Sequence, residues 1–266
     1  MKKSALLLTI AVLFILTGNL YSQQITIGAK GGFSIPNLTT KSSDPLSVGY
    51  SSRYGADGGI YWEYHVTKPF SIAVELQYSS QGGQKSGLQA ETIPAQFAAM
   101  FPANAYLYSK FKSEAKLDYL LVPILAKYTW KINKRSPFRI YAAVGPFAGY
   151  LLSAHQVISG GTSTIYSDNQ GKTPLTFYGQ TITQPNDTTV NIKNQLNTFN
   201  VGIDGYVGIS YAIDKNQRIF IEGGGNYGFL TIQKSTGIGK NNTGAGVLSV
   251  GYAYTFTGKQ KYTRSR

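Results

Sequence analysis

Charged side chains that recur on one side of alternating segments are the residues in this sequence most capable of chemistry. In a closed sheet they would share the interior, where an unpaired ion is far too costly and each charge must pair or be hydrated. We interpret them as a salt-bridged plug, because an eight-stranded closed sheet is just wide enough for its own side chains. A path for ions or protons is the alternative. The set comprises Lys30, Asp57, Glu63, Glu75, Lys127, Arg139, Asp204 and Glu222.

A catalytic pair of histidine and serine is the second kind of chemistry to consider. Acyl hydrolysis needs a nucleophile with a base beside it and an acid behind the base. His155 is close in sequence to Ser153 and Ser159, so a lipid-modifying enzyme is one hypothesis. No Gly-x-Ser-x-Gly element is present, and serines are common in polar loops. The sequence therefore predicts a protein that is not an enzyme.

Metal and cofactor sites have little support in this sequence. The chain has no cysteine and two histidines, which removes disulfides, thiolate sites and most histidine-built metal centres. Residues 168–171 lack the closing acid of a calcium loop. Residues 237–240 lack the full spacing of a phosphate-binding loop. We predict no metal and no cofactor.

Residues 1–22 have the three parts of a secretory signal peptide. Lys2 and Lys3 precede an apolar run over 5–16, and Ser22 is a small residue at the expected cleavage position. An apolar run of about 12 residues is too short to span a bilayer as a helix. We therefore predict export, cleavage after Ser22, and a mature chain that begins at Gln23.

The mature chain alternates between apolar and polar residues with a period of two. From Phe199 to Asp214 the odd positions carry no charged or amide side chain. Such a period marks a strand that is apolar on one face, and this strand is longer than the usual 5 or 6 residues. The same register recurs in segments that begin near residues 25, 56, 70, 120, 138, 219 and 245, so that eight strands are predicted in all.

Connections between these segments alternate between short and long. Short polar turns occur at 67–69, 132–137 and 214–217, whereas long polar segments fill 36–48, 81–115, 153–195 and 231–243. Aromatic residues such as Trp62, Trp130 and Phe256 cluster at strand ends, as in the girdles of membrane barrels. These features predict an all-β fold, an eight-stranded antiparallel up-and-down transmembrane β-barrel over 23–256. A soluble barrel or sandwich with the aromatic residues in its core is the alternative.

Basic residues exceed acidic ones, and the formal net charge is +13. Lysines in the long segments would attract lipopolysaccharide phosphates in the outer leaflet, so outer-membrane lipid and lipopolysaccharide are predicted partners. Residues 257–266 contain four basic residues and no acid, and we predict a basic periplasmic tail there. Nucleic acid is not an expected partner of an exported chain without a recognisable binding module.

Three segments of the chain resemble the PorT-like family of bacterial outer-membrane β-barrels. They are 118–128 (DYLLVPILAKY), 73–83 (AVELQYSSQGG) and 141–150 (YAAVGPFAGY), although the family usually carries an acid where Leu121 stands here. The resemblance covers the mature chain and implies the barrel architecture and a location in the bacterial outer membrane. Because the named member is associated with protein secretion, the resemblance also leaves envelope or secretion proteins open as partners.

Taken together, these observations predict how the protein works. We expect an outer-membrane barrel that acts through its long extracellular loops as a non-enzymatic interaction or structural component, in the setting of a protein-export or surface assembly. A small channel is the alternative function, and the lipid-modifying barrel enzyme is a further one.

Overall fold

The computed structural model describes residues 24–102, 105–133, 135–235 and 239–257. Eight long strands form most of it, and they match the eight predicted segments. They are β1 (Gln24–Thr39), β2 (Gly55–His65), β3 (Phe70–Thr92), β4 (Tyr106–Lys131), β5 (Phe138–Ser159), β11 (Phe199–Ala212), β12 (Gln217–Gly228) and β13 (Asn242–Thr257). Five short strands lie between β5 and β11, namely β6 (Thr162–Tyr166), β7 (Thr176–Phe177), β8 (Gln180–Thr181), β9 (Thr183–Pro185) and β10 (Thr188–Asn191). Two 3₁₀ helices span Ala95–Met100 and Lys193–Gln195.

The eight long strands close into a barrel. Each pairs antiparallel with the next along the chain, and β13 returns to pair with β1, so that Gln24 faces Thr257 and Thr39 faces Asn242. Closure removes the unpaired sheet edges that an open sheet would expose. The prediction of an eight-stranded antiparallel up-and-down barrel is confirmed. In the part of the chain described here, no helix is long and apolar enough to cross a membrane.

The two faces of the barrel wall have opposite chemistry. Apolar side chains point outward along every strand, and residues such as Ile60, Val250 and Val207 are 58%, 59% and 64% exposed. The residues between them point inward and are mostly polar and buried. Soluble proteins rarely expose an apolar area that encircles the molecule. The alternative of a soluble barrel with an aromatic core is therefore wrong, because the apolar track lies outside the barrel.

Strands β3, β4 and β5 are much longer than a bilayer requires. A transmembrane strand needs about 9–11 residues, whereas β3, β4 and β5 contain 23, 26 and 22. Their surplus lies at the end opposite the short turns, which we call the distal end. There, residues 81–92, 106–117 and 152–159 continue as a sheet that also pairs with β6, β9 and β10. We call this structure the distal sheet.

The distal sheet replaces much of what the sequence predicts as polar loops over 81–115 and 153–195. Within it the outward face of the strands is no longer apolar, because that face does not meet hydrocarbon outside a bilayer. In β4, exposed Lys110 and Lys112 alternate with buried Ser109 and Ser113. The outward apolar period that identifies the barrel strands therefore stops before this part of β4, although its backbone pairing with β3 is regular.

Two glycines allow the wall to bend. Gly82 has a φ of +115°, which L side chains rarely adopt, and a Cβ there would collide with the carbonyl of Ala115. It stands where β3 leaves the barrel and enters the distal sheet. In β12 a Cβ at Gly224 would collide with the carbonyl of Gly205 on the neighbouring strand. This close approach of two strands agrees with the interpretation of 223–225 as a site of barrel curvature.

The short connections and the chain ends complete the barrel. Turns follow β2, β4 and β11 near the predicted positions, and the third is closed by Asp214, which accepts hydrogen bonds from the backbone of Asn216 and Gln217 at 2.7 Å each. The predicted signal peptide over 1–22 lies outside the described residues. Of the predicted tail over 257–266, Thr257 forms the end of β13 and the remainder lies outside the described residues.

Candidate functional site

The barrel lumen holds three stacked groups of polar side chains, and the group nearest the short turns centres on Glu63. Its carboxylate lies 2.6 Å from Arg218 and 3.1 Å from Lys127, and the Ser71 hydroxyl donates a hydrogen bond of 2.6 Å to it. These residues come from four different strands, β2, β3, β4 and β12. We call them the lower cluster. One fully buried carboxylate therefore bridges two cations across the lumen.

The middle cluster reverses this charge pattern. Lys30 lies 2.7 Å from Glu75 and 2.8 Å from Glu222, and the Tyr141 hydroxyl donates a 2.7 Å hydrogen bond to Glu222. All three charged side chains are at most 7% exposed. One cation thus holds two carboxylates, so the lower and middle clusters together balance three positive charges against three negative ones. Such pairing is what makes buried ions tolerable.

Aromatic rings fill the space between the two clusters. Phe220 packs edge-on against Tyr61 at 5.9 Å and against Tyr141 at 6.4 Å between ring centres. The Lys127 ammonium lies 4.2 Å from the centre of the Tyr141 ring, a favourable cation–π distance. A void of about 10 Å³ remains beside Glu75 and these rings. That volume holds about one water molecule, which is too little for a continuous aqueous path.

The upper cluster is a chain of hydrogen bonds between two carboxylates. The Gln77 amide donates to Asp57 at 2.8 Å and to the Tyr206 hydroxyl at 3.1 Å. Tyr206 in turn donates to Asp204 at 2.9 Å, and its ring lies 4.1 Å from the Lys30 ammonium. The chain therefore connects the upper cluster to the middle one.

The structure brings seven of the eight predicted interior residues into these three clusters. The eighth, Arg139, lies outside them. Arg139 points inward but is half-buried at the short-turn end, and no ion pair among the described residues includes it. Sequence reasoning missed Arg218 because it lies next to a turn. Arg218 and Glu222 are separated by an even number of positions, which places both on the same face of β12. This spacing was a usable signal.

An apolar layer separates the clusters from the distal end. Its residues come from β1, from the middle of β4 and from β5. The segment before β11 and the segment after β12 contribute one residue each. These residues are Leu38, Ala115, Leu117, Tyr119, Leu121, Phe147, Leu151, Ala154, Leu196 and Ile232. We call this layer the cap. Leu121 belongs to it, which explains how the chain tolerates an apolar residue where the PorT-like pattern has an acid.

A cavity of about 300 Å³ lies on the distal side of the cap. Its floor includes Leu38, Leu196 and Ile232, and glutamines including Gln156 and Gln233 stand around its walls. We call it the mouth cavity. Three separate connecting segments and four strands contribute to it, so no local sequence pattern predicts it.

One cation lines the mouth cavity. The Lys85 ammonium donates to the carbonyl of Leu46 at 2.8 Å and lies 4.3 Å from the centre of the Tyr50 ring. No ion pair within the described residues includes it. Burial lowers the pKa of Lys85 to about 8, and the nearby carboxylate of Asp44 opposes that shift.

Hydrogen bonds fix the segments around this cavity to one another. The Asn241 amide donates to the carbonyl of Ser47 at 2.8 Å, and the Lys240 backbone donates to the Ser47 hydroxyl at 2.7 Å. Arg53 donates to the Gln81 carbonyl at 2.9 Å and to the Ser80 hydroxyl at 2.7 Å. The connections after β1 and β12 are therefore tied to each other and to β3.

Basic side chains line the outward face of the distal sheet. Lys110, Lys112 and Lys116 are exposed on the face of β4 that continues the outward apolar track. In the pairing of β4 with β5, His155 stands opposite Lys116. The Lys193 ammonium lies nearby, bonded to the carbonyl of Leu152 at 2.8 Å. We call these five residues the basic column.

Neither a metal site nor a catalytic triad is apparent in the described parts of the chain. No group of three or more histidine, aspartate or glutamate side chains there could hold a metal ion. The Ser153 hydroxyl donates to Asp118 at 2.6 Å rather than to His155. His155 thus has no activated serine beside it within the described structure, and the geometry offers no support for acyl hydrolysis.

Comparison with known proteins agrees with this architecture. Residues 21–234 match the model of the outer membrane protein beta-barrel domain family. No curated protein sequence matches the chain. Among solved structures, Neisserial surface protein A is 13% identical with a TM-score of 0.42, over 88% of this chain and 97% of that one.

Two further solved structures are similar at comparable levels. OprG from Pseudomonas aeruginosa is 11% identical with a TM-score of 0.38, over 89% of this chain and 97% of that one. The outer membrane protease OmpT from Escherichia coli is 9% identical with a TM-score of 0.30, over 90% of this chain and 98% of that one. Protease activity is a property of that last protein. The family match spans most of the chain, and the protein therefore belongs to the outer membrane protein beta-barrel domain family.

Proposed function

We propose that this chain is a non-enzymatic outer-membrane barrel that keeps its lumen closed and binds envelope or surface components through its distal sheet. The observation that carries this proposal is the continuation of β3, β4 and β5 well beyond the length that a bilayer needs. A connecting loop has no need for that much paired backbone. In this proposal the short turns face the periplasm and the distal sheet faces outward from the cell.

Membership in the PorT-like group is part of this proposal. It is supported by the segments 73–83, 118–128 and 141–150, which resemble that group. In the structure these segments are neighbouring parts of β3, β4 and β5, the strands that carry the distal sheet. A role in a protein-export or surface assembly would therefore place partners against those three strands.

Shortening the distal hairpin is expected to remove such partners while the barrel remains folded. Gln84 and Glu114 are opposite one another in the β3–β4 register, so residues 85–113 can be replaced by Asn-Gly as a two-residue hairpin turn. Both chains would be cross-linked in intact outer membranes and purified by a tag. We expect the native chain to retain envelope proteins that the shortened chain loses. Recovery of the same proteins with both chains would contradict a role for the distal sheet.

The closed lumen predicts that the purified protein does not conduct ions. The three clusters and the cap fill the interior in succession. The lower and middle clusters are ionic, and aromatic rings lie between them. In planar bilayers we expect no conductance steps from the native protein, whereas an open porin added to the same bilayer should give them. Reproducible steps from the native protein would favour the small-channel alternative.

We also propose that the basic column contacts phosphate groups of lipopolysaccharide. Lys116 lies on the outward face of β4, four residues from Leu120 toward the distal end. The two positions are about 13 Å apart along the strand. That distance would place the Lys116 ammonium near the headgroup region if Leu120 marks the upper part of the hydrocarbon. Anionic headgroups attract basic side chains at this depth.

Lipopolysaccharide is accordingly expected to raise the unfolding temperature of the native protein in detergent micelles. The triple substitution Lys110→Gln, Lys112→Gln and Lys116→Gln should reduce this rise. A matched triple variant at the short-turn end, with Lys68, Lys131 and Lys215 changed to glutamine, should retain it. An equal rise of the unfolding temperature in all three proteins would rule out phosphate recognition by the basic column. So would an equal rise of the native protein's unfolding temperature with intact and with dephosphorylated lipopolysaccharide.

A further inference from the structure

The mouth cavity combines an apolar floor with a single partly buried cation. Lys85 has one backbone acceptor, the carbonyl of Leu46, and one aromatic neighbour, Tyr50. An ammonium has three donors, so this arrangement leaves capacity for an anionic acceptor. We propose that the mouth cavity binds a small amphipathic carboxylate, with its charged end against Lys85 and its apolar body on the cap.

The floor of the cavity suits the apolar part of such a ligand. Leu38, Leu117, Leu196 and Ile232 line the bottom of the cavity and belong to the buried cap. Small-molecule sites are typically concave and mainly apolar, with a few polar groups that fix the orientation of the ligand. The volume of about 300 Å³ lies at the lower end of the range of roughly 300–1,000 Å³ that small-molecule sites occupy. A carboxylate with a chain of about six carbons therefore fits.

The other walls favour one negative charge over several. Gln89, Gln156, Gln195 and Gln233 line the cavity and are neutral. Glu91 lines its outer part, where the Ser109 hydroxyl and the Gln184 amide donate to its carboxylate. A second anionic group on the ligand would approach Glu91 without a further lysine or arginine in the lining to balance it. A single carboxylate is thus the best match.

The protonation state of Lys85 should control binding. Its pKa of about 8 means that it is charged at neutral pH and loses its proton in mildly alkaline solution. The groups around it are the Asp44 carboxylate, the Tyr50 phenol and, in the same cavity, Glu91. The Tyr106 hydroxyl lies 3.4 Å from Asp44. The pKa of Tyr50 is raised by burial, and that of Tyr106 by desolvation and by Asp44. Neither phenol therefore titrates where Lys85 does.

The sign of the pH effect follows from linkage. A bound anion stabilises the charged ammonium and raises its pKa, so binding takes up a proton when Lys85 is neutral in the free protein. The affinity should be constant well below pH 8 and should fall by up to about tenfold per pH unit above it. An uncharged ligand of the same length should show no such fall.

Calorimetric titration of the full chain in lipid nanodiscs tests the proposal. Hexanoate is the probe, hexan-1-ol and hexylammonium are its matched controls, and empty nanodiscs give the blank for partition into lipid. We expect hexanoate to bind more tightly than either control at pH 7. Lys85→Met, which keeps the length of the side chain, should weaken hexanoate binding by about tenfold or more. It should leave hexan-1-ol unaffected.

Two further variants separate this site from bulk charge and from misfolding. Lys41→Met removes the same charge from an exposed position in the connection after β1, outside the cavity lining, and should leave hexanoate binding unchanged. Ser113 stands opposite Lys85 in the β3–β4 register. Ser113→Leu should fill the cavity and abolish binding of both hexanoate and hexan-1-ol. The folded state of each variant is checked by its mobility in gels before and after heating.

The outcomes are distinct. Equal weakening by Lys85→Met and Lys41→Met would overturn the proposal, as would equal binding of hexanoate and hexylammonium or no binding of any probe. None of these results bears on the cross-linking of envelope proteins, because the cavity faces inward and the basic column faces outward.

Discussion

Glu63→Gln is expected to destabilise the folded barrel by about 3–5 kcal/mol, the typical cost of breaking a buried ion pair by removing one partner. The carboxylate of Glu63 is fully buried, and it lies within 3.1 Å of both Lys127 and Arg218. Glutamine has nearly the same shape but no charge. The two cations would then face each other across the lumen without a carboxylate between them. Urea unfolding of the barrel in lipid vesicles measures the loss.

A matched substitution separates burial from charge in this experiment. Glu114 pairs with Arg53 at 3.5 Å and with Lys116 at 3.7 Å, but its side chain is 22% exposed and lies in the distal sheet. Partly exposed pairs contribute about 1 kcal/mol or less, so Glu114→Gln should have a small effect. Adding Arg218→Gln to Glu63→Gln should restore part of the stability. Equal losses from the two single variants would show that the lower cluster does not hold the barrel closed.

The alternation of residue types made the barrel predictable, and with it most of the lumen. In a closed sheet that meets hydrocarbon outside, every second residue must face inward. The strand pattern therefore places Lys30 and Glu222 on inward-facing positions without any knowledge of their partners. What the pattern could not supply was the register between strands, which determines that Lys30 meets Glu222 rather than another carboxylate.

Arg218 shows the limit of reasoning from strand boundaries. A predicted turn over 214–217 leaves the next residue, Arg218, without a clear face. In the structure β12 already begins at Gln217, and Arg218 reaches Glu63 at 2.6 Å from 155 residues away. Strand ends are the least reliable part of any sequence-based assignment.

The distal sheet and the mouth cavity were beyond prediction for a different reason. Outside a bilayer the outward face of a strand is no longer apolar, so the period that identifies the barrel strands does not extend into residues 81–92 and 106–117. The cavity depends on contacts between segments far apart in the chain, such as Ser47 with Asn241. Such contacts have no local signature.

Ile221→Arg is expected to destabilise the barrel by about 2–4 kcal/mol, because it would place a charge against the middle of the hydrocarbon. Ile221 is 45% exposed on the outward face of β12. It pairs with Ile209 on one side and, on the other, with Val250 near the centre of β13. Unfolding in vesicles, measured as for Glu63→Gln, gives the free-energy change.

The same substitution at Ile213 provides the control, because Ile213 is similarly exposed, at 54%, but follows β11 at the short-turn end. Near the membrane interface an arginine costs about 0–1 kcal/mol. A difference between the two variants in the free energy of unfolding would therefore reflect the depth of the arginine in the bilayer. It would not reflect the loss of an isoleucine, which both variants share. If the outward track faced water, an exposed arginine would be tolerated equally at both positions. Equal effects would consequently contradict the transmembrane arrangement on which the closed lumen, the basic column and the outward distal sheet all depend.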